Sequence, residues 1–116
     1  MKKIQITAKF KIHKGKLEEF KKIAADCVAA VEKNEKGKGA LQYDWFFSPD
    51  ETECVVRETY VDSNAVLAHV GNVNEPLSKL MEISDFVVEV FGNASVELQN
   101  ALKEMKVTPV KYFGGL

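Results

Sequence analysis

Residues 4–31 read IQITAKFKI-HKGK-LEEFKKIAADCVAAV, and this stretch decides the fold class. Ile4, Ile6, Ala8, Phe10 and Ile12 alternate with Gln5, Thr7, Lys9 and Lys11, the two-residue period of a strand with one buried face. Lys14-Gly15-Lys16 ends that period. Leu17, Phe20, Ala24, Cys27, Val28 and Val31 then recur at three- and four-residue steps, the stripe of an amphipathic helix. Glu18 and Glu19 at its start and Lys33 and Lys36 near its end suit the helix dipole. Gly37-Lys38-Gly39 stops it.

Working outward, Ala40 to Ser48 is predicted as a second strand with Leu41, Tyr43, Trp45 and Phe47 on one face and Gln42, Asp44 and Phe46 on the other. Pro49-Asp50-Glu51-Thr52 is turn chemistry, so Cys54 to Val61 reads as the returning strand of a hairpin. Asp62 or Ser63 caps a short helix with Val66, Leu67 and Val70 inward. Gly71-Asn72 is expected to interrupt it and Pro76 to restart a second helical piece with Leu77, Leu80 and Met81 inside. Phe86 to Phe91 is a strongly apolar strand. A helix is expected from Gly92-Asn93 with Leu98, Ala101, Leu102 and Met105 on one stripe, and a last short strand at Val110 to Phe113.

The order β-α-β-β-α-β over residues 4–91, with an α-β extension over 92–116, predicts one α+β domain of ferredoxin-like build. Such a domain carries its helices on one face of an antiparallel sheet. The aromatic content of the second and fourth strands would make the other face too apolar for water, so a homodimer is expected.

Composition narrows the function classes. Hydrophobic residues make up 46% and charged residues 28% of the 116, which suits a folded globule and not disorder. Sixteen basic against seventeen acidic residues leave a net charge of −1 with no block of like sign. Nucleic acid and anionic membrane are therefore not expected partners, since both need a concentrated basic face. No apolar run has the length of a bilayer span. Met1-Lys2-Lys3 leads into an alternating charged stretch instead of a signal-peptide core, which predicts a cytoplasmic location. Cys27 and Cys54 match no metal-ligand spacing and are expected to be reduced, buried thiols.

The chain resembles the antibiotic biosynthesis monooxygenase family, small dimeric α+β-barrel proteins that include cofactor-free quinol monooxygenases. The resemblance rests on Lys14-Gly15-Lys16 through Phe20, Gly39 through Tyr43, Arg57-Glu58-Thr59-Tyr60, Asp62-Ser63-Asn64-Ala65 and Ala68-His69, in order over roughly residues 4 to 91. It implies an acidic and an aromatic residue at the end of the third strand, here Glu58 and Tyr60, where Trp is common in the family. A heme-degrading group on the same fold uses a histidine in the later helical segment and an asparagine on the first strand. Asn74 to Ile83 holds no histidine, and Ala8 stands at the asparagine's place.

No Gly-rich phosphate loop, Cys/His metal pattern or nucleophile elbow is present, so no cofactor is expected. The resemblance implies a route needing none, in which an electron-rich substrate such as a hydroquinone is deprotonated and itself reduces dioxygen. His69 is the best candidate base, because an imidazole in water titrates near neutrality. Its spacing from Val66 also suits a satisfied structural histidine. Asp44 and Glu58 are carboxylates within strands, where such residues either pair across the sheet, with Arg57 or a lysine, or face a cavity and share acid–base work. Trp45, Phe47, Tyr60, Tyr43 and Phe86 are candidates for a substrate pocket or for the core. The alternative to an enzyme is a dimeric barrel that binds a small hydrophobic ligand without turnover.

Overall fold

The computed structural model describes residues 2–116. They form β1 (Ile4–Ile12), α1 (Leu17–Asn34), β2 (Ala40–Phe47), β3 (Glu53–Tyr60), α2 (Ser63–Glu82), β4 (Ser84–Phe91), α3 (Val96–Leu102) and β5 (Val107–Val110), with a 3₁₀ turn at Lys103–Met105. The sheet runs β2-β3-β1-β4-β5, and every pair is antiparallel except β4 with β5. The first four strands are the ferredoxin-like order expected from the sequence. Both long helices cover one face. The even-numbered residues Ile4, Ile6, Ala8 and Phe10 of β1 are buried there with Phe20, Ala24 and Cys27 of α1 and Val66 and Leu80 of α2.

Four local expectations need correction. The helix after β3 is continuous over 20 residues through Gly71 and Pro76. Its buried residues Val66, His69, Val73 and Leu80 lie on one stripe that crosses both supposed breaks. Burying each apolar side chain contributes roughly 1.5–3 kcal/mol, which together outweighs about 1 kcal/mol for an interior glycine and about 3 for a proline. The next helix starts at Val96, capped by the Ser95 hydroxyl, which accepts from the Leu98 N–H, and not at Gly92-Asn93. Gly92 instead turns the chain at φ +118°. The last strand is Val107–Val110 and not Val110–Phe113, because Lys106 in the left-handed region (φ 53°) ends the 3₁₀ turn early. Finally, the pairing of β2 with β3 shifts between Ala40 and Gln42. Leu41 therefore leaves the face shared by Tyr43, Trp45 and Phe47 and is 54% exposed.

The bare face of the sheet also differs from expectation. Tyr43, Trp45, Phe47 and Phe86 pack inward against the core, so they are not what water would meet. Two cross-strand rows make up the middle of the outer face. One runs Phe46, Val55, Lys9, Val87 and the other Asp44, Arg57, Thr7, Glu89. This face is half polar.

Gly39 shows how tightly the entrance of β2 sits on α2. A Cβ there would fall 2.8 Å from the Ala65 Cβ, too close without a backbone shift. Cys27 and Cys54 are buried free thiols, as expected. Among the described residues, no helix is long and apolar enough to cross a membrane.

Candidate active site

The apolar stripe of α1 runs Phe20, Ala24, Cys27, Val31, and its next four-residue step lands on Glu35, which is 4% exposed. A carboxylate in that position must find partners, since an unpaired buried charge is far too costly. It finds them on α2. Both Glu35 carboxylate oxygens lie 3.1 Å from His69 Nδ1, and the Asn72 amide donates to Glu35 Oε2 at 3.1 Å.

The other side of the imidazole faces the sheet. His69 Nε2 is 3.5 Å from Glu58 Oε1, and the Tyr60 hydroxyl donates to that same oxygen at 2.6 Å. Glu58 and Tyr60 belong to the inward set of β3, one strand repeat apart. The result is an unbroken sequence of polar groups, Asn72, Glu35, His69, Glu58, Tyr60, exposed at Asn72 and buried from Glu35 onward. The Tyr43 and Tyr60 rings each lie 5.1 Å from the imidazole and fix its plane.

Electrostatics follow from burial. Desolvation pushes the Glu58 carboxyl above its ordinary value, while the neighbouring His69 and the Tyr60 hydrogen bond pull the other way. Burial likewise drives the Tyr43 and Tyr60 phenols up, with the nearby Glu58 charge adding to it, so both stay protonated donors. The Cys27 thiol, beside Tyr43, is pushed up to about 12 by burial and is not a thiolate nucleophile at neutral pH. With Glu35 as a carboxylate, the tautomer that suits this contact has the Nδ1 proton of His69 toward it. One further proton can then sit on either Nε2 or Glu58. The chemistry this permits is proton transfer at the Nε2–Glu58 edge.

That edge opens on a cavity of about 50 Å³ between the sheet and α2, lined by Ala8, Tyr43, Trp45, Val73 and Phe86 as well as Glu58 and His69. The C-terminal extension closes it with Leu102, Met105 and Val107. Among the described residues, the Trp45 Nε1–H is the buried side-chain polar atom that lacks a partner. The cavity is thus apolar with one proton-transfer edge.

Of the residues singled out from sequence, the structure brings together His69, Glu58, Tyr60, Tyr43, Trp45 and Phe86. Phe47 lies apart, edge-on to Phe20 with the Lys21 ammonium 5.6 Å from its ring centroid. Asp44 stands on the opposite face of the sheet, exposed, accepting from Gln42 and aligned with Arg57. Glu35 and Asn72 were not anticipated. The signal for Glu35 was present as an acid at the next step of a buried stripe.

A family model for antibiotic biosynthesis monooxygenases matches residues 4–74, which include Glu35, Glu58, Tyr60 and His69. The chain belongs to the antibiotic biosynthesis monooxygenase family. Solved structures agree with that assignment. MupZ from Pseudomonas fluorescens is 26% identical, with a TM-score of 0.78 over 100% of this chain and 94% of its own. A conserved protein from Methanosarcina mazei shares the fold at 19% identity and TM-score 0.68, over 78% of this chain and 91% of its own. So does SnoaB from Streptomyces nogalater, a cofactor-independent oxygenase, at 15% identity and TM-score 0.67, over 83% of this chain and 97% of its own. No curated protein sequence gives a significant match.

Proposed function

We propose that this family member is a cofactor-independent monooxygenase acting on a small aromatic substrate of hydroquinone type. The observation that carries the reading is the buried Glu35–His69–Glu58–Tyr60 sequence ending on an aromatic cavity. His69 Nε2, with Glu58 beside it, takes the phenolic proton. The resulting electron-rich anion transfers its electrons to dioxygen, one oxygen atom joins the ring, and the other leaves as water with two protons. Overall, a hydroquinone and dioxygen give a hydroxyquinone and water. In this reading Trp45, whose side chain lines the cavity, offers its Nε1–H to a substrate oxygen, and the apolar walls exclude water from the anion.

A cavity of about 50 Å³ holds a few waters, well below the roughly 300–1,000 Å³ of a ligand pocket. A ring enters only if Leu102 and Met105 move outward, so the extension acts as the door. The same closure favours a second reading, a barrel that encloses a small hydrophobic ligand without turnover. Oxygen uptake by the purified protein with a panel of reduced quinols, beside His69→Ala, separates the two. Uptake above autoxidation that the variant loses supports the enzyme, and its absence across the panel supports the binding protein.

Two copies are proposed to pair through the outer sheet face, closing a dimeric α+β barrel. Support comes from Phe46 and Val87, 54% and 59% exposed in one cross-strand row. A single monomeric species in sedimentation at micromolar concentration would remove this assembly.

A further inference from the structure

We propose that the groove between β4, α3 and β5 is a second binding site, built for a small organic anion with an apolar body. The groove has a volume of about 580 Å³, against about 50 Å³ beside His69, and so already has the size of a small-molecule pocket. Its floor is apolar, from Val90, Leu102, Val107 and Val110. Its rim carries Lys103, Lys106 and Lys111 together with the amides of Asn93 and Gln99, and its wall contains no aspartate or glutamate.

That charge pattern is unlike the rest of the chain. Overall there are 16 basic and 17 acidic residues, so three lysines facing one groove without a carboxylate is a local concentration. Among the described residues, the ion pairs lie elsewhere and take none of these three ammonium groups. An apolar floor with a cationic rim selects a ligand with the matching division: an alkyl or aryl body seated on Val90 and Val107, and a carboxylate or phosphate met by the lysines. A neutral analogue loses the rim.

The site is independent of the chemistry assigned to His69. It shares Val90, Leu102 and Val107 with the His69 cavity as a common wall, which places the apolar end of a bound ligand against Leu102.

The test uses the full chain with octanoate, octyl phosphate and octanamide as probes, read by calorimetry and by backbone amide shifts. The expected result is that octanoate or octyl phosphate binds at least tenfold more tightly than octanamide, weakens as salt is added, and shifts residues 92–111. A tenfold preference between the two anions names the head group as carboxylate or phosphate. Replacing the exposed side chains as Lys103→Gln, Lys106→Gln and Lys111→Gln together removes the anion preference by tenfold or more, with unfolding temperature and remaining amide shifts as the check on folding. Equal binding of octanamide and octanoate overturns the proposal. So do anion binding that survives the triple substitution and shifts confined to the His69 cavity.

Discussion

His69 Nδ1 lies 3.1 Å from both carboxylate oxygens of Glu35, thirty-four residues earlier in the chain. The pair ties the end of α1 to the middle of α2 at a point where both side chains are less than a tenth exposed. It also decides which imidazole nitrogen is free. With Nδ1–H held by Glu35 as a carboxylate, the lone pair of neutral His69 is at Nε2, toward Glu58 and the cavity.

Removing Glu35 should therefore be costly out of proportion to its place at a helix end. Glu35→Ala is expected to lower stability by about 1–3 kcal/mol, the cost of leaving the buried Nδ1–H of neutral His69 without its acceptor. Glu35→Gln should cost distinctly less, since its amide oxygen still accepts from Nδ1–H. Urea unfolding measures both. A Glu35→Ala variant within about 0.5 kcal/mol of wild type, as for surface changes, would contradict the buried role.

Glu58 gives a pH signature with a definite sign. Burial raises its folded-state pKa above the ordinary 4.5, so its contribution to stability is fully present below that value. The contribution is lost as pH rises from 4.5 through the folded pKa, because ionisation is then easier in the unfolded chain. Glu58→Gln cannot ionise and should gain stability relative to wild type across that window. Unfolding temperatures of the two proteins at stepped pH from 4 to 8 test this, and a wild type that gains on the variant as pH rises would reverse the sign.

How far the sequence could be read depended on which force dominated each segment. Ile4 to Ile12 and Leu17 to Val31 were legible because a single periodicity ran through each without competition. Gly71 and Pro76 misled because local propensity is weaker than the burial of the stripe on which Val66, Val73 and Leu80 lie. The inward turn of Tyr43, Trp45 and Phe47 without Leu41 depends on a register shift that alternation cannot foresee. At the site, Glu58, Tyr60 and His69 carried recognisable chemistry on predictable faces. Glu35 did not stand out, because at a helix end an acid reads as solvated until α2 is seen packed against it.

The extension should behave as a door. Leu102 is 7% exposed and borders both the small cavity beside His69 and the larger outer groove. Leu102→Ala joins the two spaces at an expected cost of about 2–5 kcal/mol, and Leu102→Val opens them partly at less cost. Both variants should raise kcat/KM for bulky quinols relative to unsubstituted hydroquinone, Leu102→Ala more than Leu102→Val. An unchanged ratio in both would mean that substrate enters elsewhere.

The most direct test of the account follows the oxygen atoms. Dialysed, chelator-treated protein is given a hydroquinone that supports uptake under isotopically labelled dioxygen, and the product is weighed by mass spectrometry beside that of His69→Ala. One labelled oxygen atom is expected in the wild-type product and the other in water, with loss of the labelled product in His69→Ala. An unlabelled quinone, or labelling at the same rate without His69, would contradict it.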